Sequence, residues 1–294
     1  MSVGSAYLAI VFIWSTTALG IRWSVEEHGF LFGVASRMTV ALVLIWAVCW
    51  FKQTAVRFDR QSVETYAVAG LTQFLSMMLT YWGAQFIPSG LIAVLYGTGP
   101  IWTGLFASWW LSERFTRRKL IGLFMGLAGL SVIHHASILQ GGTAWYAVVA
   151  VLVGAVVQAL ATVWVKRIGA ELDPFSITAG SLTLGVPLYV IAWWSFGQAW
   201  PDHLTTRTAL AIAYMAVVAS VIGFSLFFYL LKHMQAGKVA LIQLITPVTA
   251  MLLGQVLNGE PADPVVWAGT ALIILGLGVH QYASLRGGLG RILN

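Results

Sequence analysis

Two stretches decide the fold. Gly90-Leu-Ile-Ala-Val-Leu-Tyr-Gly-Thr-Gly-Pro100-Ile-Trp-Thr-Gly-Leu-Phe-Ala-Ser-Trp-Trp-Leu-Ser-Glu113 and Gly237-Lys-Val-Ala-Leu-Ile-Gln-Leu-Ile-Thr-Pro247-Val-Thr-Ala-Met-Leu-Leu-Gly-Gln-Val-Leu-Asn-Gly-Glu260 carry one spaced pattern, 147 positions apart. Gly90, Pro100, Glu113, Gly122 and Gly129 recur as Gly237, Pro247, Glu260, Gly269 and Gly276, with Ala93 matching Ala240 and Leu105 matching Leu252. Glycine and proline control backbone shape more than surface chemistry, so their recurrence at a fixed offset means that the same bends are used twice. Both stretches are apolar, so the repeated unit is a bundle of membrane helices. Internal repeats of this kind point to a secondary transporter whose binding site lies where the repeats meet.

Composition agrees. Apolar residues make up 59% of the chain and charged residues 9%, against about 25% charged in an ordinary soluble domain. The net charge of +6 rests on too few charges for a nucleic-acid binder; it fits loops that face an anionic membrane surface. The single cysteine, Cys49, lies in an apolar run and reads as a small packing residue. The first apolar run has neither a basic leader nor a small-residue cleavage site and reads as a retained helix.

A spanning helix needs about 20 mostly apolar residues. Ten such segments are expected, over 4–22, 30–51, 63–85, 89–112, 118–136, 144–165, 174–196, 208–231, 236–257 and 263–284. Turn signals such as Ile87-Pro88-Ser89-Gly90, Gly141-Gly142, Asp173-Pro174 and Pro261-Ala262-Asp263-Pro264 separate them. Basic residues sort by side. One set of loops and helix ends carries Lys52, Arg57, Arg60, Arg114, Arg117, Arg118, Lys119, Lys166, Arg167, Lys232, Lys238, Arg286 and Arg291, and the other only Arg22 and Arg207. The first side is therefore cytoplasmic, with both termini inside. Five helices per repeat is an odd number, so the second repeat starts from the opposite face. Glu113 is followed by Arg114, Arg117, Arg118 and Lys119, whereas its partner Glu260 is followed by Asp263 and no base. The expected fold is all-α and polytopic: ten transmembrane helices in two inverted five-helix repeats, residues 1–140 and 141–294.

The run from Gly90 to Pro100, then Leu111-Ser112-Glu113-Arg114 and the glycines from Gly122 to Gly129, resembles the signature of EamA-type transporters in the drug/metabolite transporter superfamily. Trp14-Ser15 and Tyr81-Trp82-Gly83-Ala84 fit the same pattern. The resemblance covers nearly the whole chain and implies ten helices as two inverted repeats, a transport function and no catalytic residues. Its weaker parts are the second repeat, which has Asn258-Gly259-Glu260-Pro261, and the first helix of each repeat. Ile13-Trp14-Ser15-Thr16 is similar to the bacterial aromatic amino-acid exporters of that superfamily, over a short stretch only.

Pro100 and Pro247 each fall about eleven residues into a span, near the bilayer midplane. A proline lacks the N–H that would bond the carbonyl four residues back, here the carbonyls of Tyr96 and Gln243, which are themselves repeat partners. Gly97 and Gly99 loosen the first of these helices further. Broken backbone at that depth is tolerated where it is buried in protein or lines a wet cavity. Pro100, Pro247, Gly97 and Gly99 are thus expected to form two matched hinges beside a substrate cavity; the alternative is a pair of packing kinks. Polar or aromatic residues at similar depth complete the candidate lining. They are Trp14 and Thr17; Gln73, Ser76, Met77, Thr80 and Tyr81; Tyr96; Gln158, Thr162 and Trp164; Ser220 and Phe224; and Gln243. Each can equally be glue between helices. Tryptophans near span ends, such as Trp23, Trp50 and Trp267, fit interfacial belts, and Trp102 fits packing.

Arg37 is the one charged residue well inside a span, and it costs several kcal/mol there unless paired or hydrated. It is either the counter-charge for a substrate carboxylate or an arginine bonded to backbone at a helix junction. Glu113 and Glu260 read as anchors at helix ends. The glycines of the fifth span, Gly122, Gly126 and Gly129, and of the tenth, Gly269, Gly276 and Gly278, allow close helix contact, within one chain or across a dimer.

The expected function is an inner-membrane exporter of small amphipathic metabolites, neutral and aromatic amino acids foremost, working by alternating access. A channel or passive facilitator, an exporter of cationic or aromatic drugs, and an intramembrane enzyme are the alternatives. The sequence has no HExxH, GxSxG or Walker A motif, and adjacent His134 and His135 diverge on a helix. No catalytic residue, metal or cofactor is expected, and the partners are membrane lipid and a small-molecule substrate.

Overall fold

The first two helices, Val3–Val25 and Gly29–Lys52, are joined by a three-residue turn and pack on each other. The computed structural model describes residues 2–110, 144–168, 171–196, 201–244, 246–259, 264–265, 267–276 and 278–279, and positions 117, 121–122, 124–126, 128–129 and 132. Glu113, Glu260, Asp263, His134, His135 and His280, much of the expected fifth span and the end of the tenth lie outside the described residues.

The first half contains α1 (Val3–Val25), α2 (Gly29–Lys52), α3 (Arg60–Gly83), α4 (Ser89–Tyr96) and α5 (Gly99–Trp110). The second contains α6 (Trp145–Ile168), α7 (Pro174–Ser195), α8 (Thr206–Tyr214), a π-helical segment (Met215–Ile222), α9 (Gly223–His233), α10 (Ala236–Ala240), a 3-10 turn (Leu241–Leu244) and α11 (Thr246–Asn258), then the shorter apolar helix α12 (Trp267–Gly276). The starts follow from local chemistry. Ser2, Asp59, Asp173 and Thr205 each accept a backbone N–H in the first turn of the next helix, and Pro174 fills the first helical position of α7, where its missing N–H leaves no gap.

Among the described residues, six helices are long and apolar enough to cross a bilayer: Val3–Val25, Gly29–Lys52, Ser89–Trp110, Trp145–Ile168, Pro174–Ser195 and Thr206–His233. The 24 residues of α3 span about 36 Å at 1.5 Å per residue, longer than a hydrocarbon core of about 30 Å. It is less apolar because its inward face is polar: Ser62, Thr65, Gln73, Ser76 and Thr80 are all buried. Cys49 is buried and unpaired, its Sγ 3.9 Å from the Phe175 carbonyl.

Both spans that carry the repeated proline are discontinuous at the expected level. After α4 the chain makes a tight turn at Gly97-Thr98, with Thr98 N–H bonding the Leu95 carbonyl at 3.2 Å and Ile101 N–H the Thr98 carbonyl at 2.9 Å. At the matching level of the second half, α10 gives way to the 3-10 turn Leu241–Leu244 before α11 resumes. The two broken spans cross, with α4 on α11 and α5 on α10. Gly99 is a glycine because the Gln243 carboxamide occupies the place a Cβ would take.

The contacts between halves come in matched sets. α3 packs on α6 and α7, while the span α8 to α9 packs on α1 and, through α8 and the π segment, on α2. α4 and α5 pack on α6, while α11 packs on α1. The glycines of the expected fifth and tenth spans meet within the chain. A Cβ on Gly129 would stand 2.6 Å from the Gly269 carbonyl oxygen, and one on Gly276 would stand 2.8 Å from the Gly122 carbonyl oxygen. Since Gly122 and Gly129 match Gly269 and Gly276, each glycine meets the counterpart of the other. The sequence left open whether these stripes pair within or between chains; their close approach is internal.

Candidate functional site

A cavity of about 110 Å³ lies where the broken helices cross. That is room for several waters at roughly 10–15 Å³ each, so it exceeds a packing defect. Each wall is one face of a helix. α1 contributes Trp14, Thr17, Ala18 and Ile21; α3 contributes Ala69, Gln73 and Met77; α6 contributes Gln158, Ala161 and Val165; α9 contributes Phe224, Phe227 and Phe228. Spacings of three and four keep each set on one side of its helix. The broken spans add Ile92, Ala93 and Tyr96 from α4, and Gln243 and Thr246 from either side of the second break. Arg37 enters from α2.

Of the residues singled out in the sequence, Trp14, Thr17, Gln73, Met77, Tyr96, Gln158, Phe224, Gln243 and Arg37 face this one cavity. Four others stand immediately behind its wall and hold it. The Tyr96 hydroxyl lies 2.9 Å from Ser76 Oγ and 2.6 Å from Thr80 Oγ1. Ser76 spends its own proton on the Gly154 carbonyl and Thr80 on the Ser76 carbonyl, which leaves the single Tyr96 proton to be donated to one of the two hydroxyl oxygens. Arg37 Nε donates to Ser220 Oγ at 2.8 Å and Nη1 to the Tyr81 hydroxyl at 3.0 Å. Thr162 is buried outside the wall, its hydroxyl bonded to the Gln158 carbonyl. Trp164 is on another face of α6, 38% exposed and packed against Trp110 with ring centroids 5.5 Å apart. The hinge residues Gly97, Gly99 and Pro100 are at the first break, and Pro247 is in the first turn of α11.

The aromatic side of the cavity is continuous. Trp14 packs 5.6 Å from Phe227, and Phe227 packs 5.4 Å from Phe228. The sequence reading missed Phe227, although it sits three residues beyond Phe224. It also missed Thr246, one position before the repeated proline, and the small residues Ala18, Ala69, Ala93 and Ala161, which leave the space and carry no chemical signal. Gln243 Oε1 is buried and accepts no hydrogen bond from any described residue.

Arg37 is 2% exposed, inside a span where an arginine costs several kcal/mol unless paired or hydrated. Its carbon Cζ is 5.9 Å from the ring centroids of both Tyr81 and Phe224, near the outer limit for a cation–π contact. Among the described residues no carboxylate pairs with it. Ser220 belongs to the π-helical segment, and single-turn π-bulges are frequent at functional sites.

At the end of the bundle where α1 finishes, a polar cluster ties the two halves together. Arg207 Nη2 donates to Asn258 Oδ1 at 2.6 Å, Trp23 Nε1 donates to the same oxygen at 2.9 Å, and the Arg207 guanidinium lies 4.6 Å over the Trp23 ring. Glu26 stands 3.8 Å from Arg22 and 3.7 Å from Arg207, and Arg22 donates to the Ala84 carbonyl at 2.5 Å. Glu27 accepts from Thr205 at 2.6 Å and Thr208 at 2.8 Å, which pulls its carboxyl below its ordinary value.

The cavity offers aromatic faces, amides and one guanidinium. Comparison with known proteins agrees with that character. An uncharacterised inner membrane transporter of Escherichia coli K12, YedA, is 28% identical over 291 residues, covering 98% of this chain and 91% of that protein. A probable terminal-alkyne amino-acid exporter of Streptantibioticus cattleyicolor is also 28% identical, over 92% of this chain and 91% of its own. One crystal structure superposes with a TM-score of 0.73 at 20% identity, covering 96% of this chain and 98% of that one, which extends the shared fold end to end. The EamA-like transporter family profile matches twice, over residues 3–134 and 145–280. With its multiple apolar spans and a cavity between two broken helices, the chain belongs to the EamA-like transporter family and is a membrane transporter.

Proposed function

We propose that the protein is a secondary transporter of the inner membrane that exports small amphipathic metabolites, neutral and aromatic amino acids foremost, by alternating access around the central cavity. The observation that carries this reading is the cavity itself: aromatic faces from α1 and α9, amides at Gln73, Gln158 and Gln243, and one guanidinium converge where both broken helices cross. Such a lining suits a solute with an apolar body and a polar head. The amino-acid assignment also draws on the relative described as a probable amino-acid exporter.

The mechanism proposed for the scaffold is ten helices in two inverted five-helix repeats, residues 1–140 and 141–294. Support comes from the reciprocal contacts. In an isologous pairing, residue i meets j while j meets i, and the Gly122–Gly276 and Gly129–Gly269 approaches have that form. The crossing of α4 on α11 and α5 on α10 has it too. Two related halves supply two openings of similar energy, one to each side. With both termini cytoplasmic, as the lysine and arginine distribution implies, the Arg207–Asn258 cluster closes the outer end.

Expression in a sensitive host should raise resistance to toxic aromatic amino-acid analogues. In reconstituted liposomes, unlabelled aromatic amino acids should compete for the same flux while acidic ones do not. A host with unchanged sensitivity, together with no competition by any amino acid, sinks the substrate assignment.

A further inference from the structure

We propose that Arg37 is the carboxylate-binding residue of the cavity, so that the transported solutes are amphipathic carboxylates, amino acids included, and the matching amines are excluded. This rests on reading the cavity as the substrate site.

Arg37 lacks a charged partner among the described residues. A guanidinium carries five N–H donors in a planar fork. Nε is bonded to Ser220 and one Nη1 proton to Tyr81, both neutral hydroxyls. The remaining donors make no hydrogen bond to any described residue, and Nη2 makes none at all among them. Buried charges are ordinarily paired, yet no carboxylate pairs with this one among the described residues, and no Asp or Glu lies in the middle of any span. The protein thus holds a fixed positive charge on the cavity wall and supplies two neutral tethers that aim it without neutralising it. Ser220 and Tyr81 take the Nε and Nη1 positions, which leaves the Nη2 side of the fork as the free one. A bare interhelical anchor would spend its donors on backbone carbonyls or an acid; this arrangement keeps them for a ligand oxygen.

The surroundings set what else the solute carries. Phe224 flanks the guanidinium at 5.9 Å, and Phe227 and Trp14 continue the apolar wall. A carboxylate on Arg37 therefore places the rest of the molecule against aromatic faces. An amine without a carboxylate brings a second cation beside Arg37 in a site of low dielectric, where like charges repel strongly.

The test measures binding of L-phenylalanine, 3-phenylpropionate, phenethylamine and 2-phenylethanol to the full-length protein in detergent, by calorimetry or ligand-induced thermal shift. Wild type should bind both carboxylates at least about tenfold more tightly than phenethylamine. Arg37→Gln should weaken the carboxylates about tenfold to a hundredfold, the range of a charge-assisted hydrogen bond, and leave 2-phenylethanol unchanged. Arg37→Lys should recover part of the loss, because charge remains while the fork is gone. Preference for the amine in wild type, no binding of either carboxylate at millimolar concentration, or equal carboxylate binding in wild type and Arg37→Gln overturns the proposal. Should Arg37→Gln not fold, the wild-type series and Arg37→Lys decide. Trp14→Ala separates the two readings. If it weakens whichever probe binds, the cavity stands even where the Arg37 assignment falls. If it leaves every probe's affinity unchanged, the cavity reading falls as well.

Discussion

Replacing Gly99 by Ala puts a methyl group where the Gln243 carboxamide now sits. The new Cβ would lie on Oε1, and Gln243 Cδ and Nε2 would be 2.9 and 3.2 Å away. The whole amide group is inside ordinary contact distance of about 3.5–4.0 Å, so the Gln243 carboxamide must swing away as a unit to make room. Either Gln243 leaves its rotamer or the two broken helices separate. Off-rotamer strain costs about 0.5–1.5 kcal/mol and overpacking typically about 1–3 kcal/mol. Gly99→Ala should therefore lower stability by about 1–3 kcal/mol. Gln243→Ala removes the colliding atoms and should largely cancel that loss, giving a coupling of about 1–3 kcal/mol between two residues 144 positions apart. The assay is thermal unfolding of the four proteins in detergent, with chemical denaturation as a second probe. Stability rather than transport is the readout because Gln243 also faces the cavity. Additive effects, or a Gly99→Ala loss that persists in the Gln243→Ala background, would refute the contact between the two breaks.

Three further outcomes are expected. Arg207→Ala removes one hydrogen bond, one ion pair and a ring contact from a side chain that is 49% exposed; discounted for solvent, that is worth about 1 kcal/mol, so a cysteine at Ala18 in a Cys49→Ser background should react roughly fivefold faster with a membrane-impermeant reagent from the outside, and an unchanged rate contradicts the closure. Glu27 is held below its ordinary carboxylate value, first by the Thr205 hydrogen bond; its stabilising contribution is present above the unfolded value and is lost as pH falls through the lowered folded value, so thermal stability should be less sensitive to Glu27→Gln in acid than at neutral pH, with equal effects at both speaking against the linkage. Proton coupling, if any, should not be built on a midplane carboxylate, because no Asp or Glu lies near the middle of a span; uphill accumulation that requires an imposed pH gradient and survives replacement of His134, His135 and His280 would identify a coupling site that the sequence hides.

The legible part of the fold was the part written in backbone constraints. The prolines at a fixed offset, Pro100 and Pro247, marked the two breaks at Gly97-Thr98 and Leu241–Leu244, because each lacks the N–H that would bond the carbonyl four residues back. Gln73, Ser76 and Thr80, at spacings of three and four on α3 with Met77 at their border, pointed to a lining face, and Gln73 and Met77 are at the wall. Depth alone did not separate wall from support. Ser76 and Thr80 lie one turn apart beside Gln73, yet their hydroxyls are taken up by backbone carbonyls and Tyr96. On α6 the lining face passes through Gln158, Ala161 and Val165, so chemistry drew attention to Thr162 and Trp164 while geometry selected their apolar neighbours. The π segment Met215–Ile222 is a plain apolar run with no breaker residue, and its effect on Ser220 shows only in three dimensions.

Counterflow of labelled phenylalanine into liposomes preloaded with unlabelled phenylalanine, in wild type, Phe227→Ala and Trp164→Ala, asks whether the cavity carries substrate. Phe227 lies in the aromatic wall and Trp164 packs outside it against Trp110. The account predicts saturable counterflow in wild type, a loss of about tenfold or more in Phe227→Ala from an aromatic contact no longer made, and unchanged counterflow in Trp164→Ala. Flux that rises linearly with concentration without saturating, or loss in Trp164→Ala with none in Phe227→Ala, would contradict it.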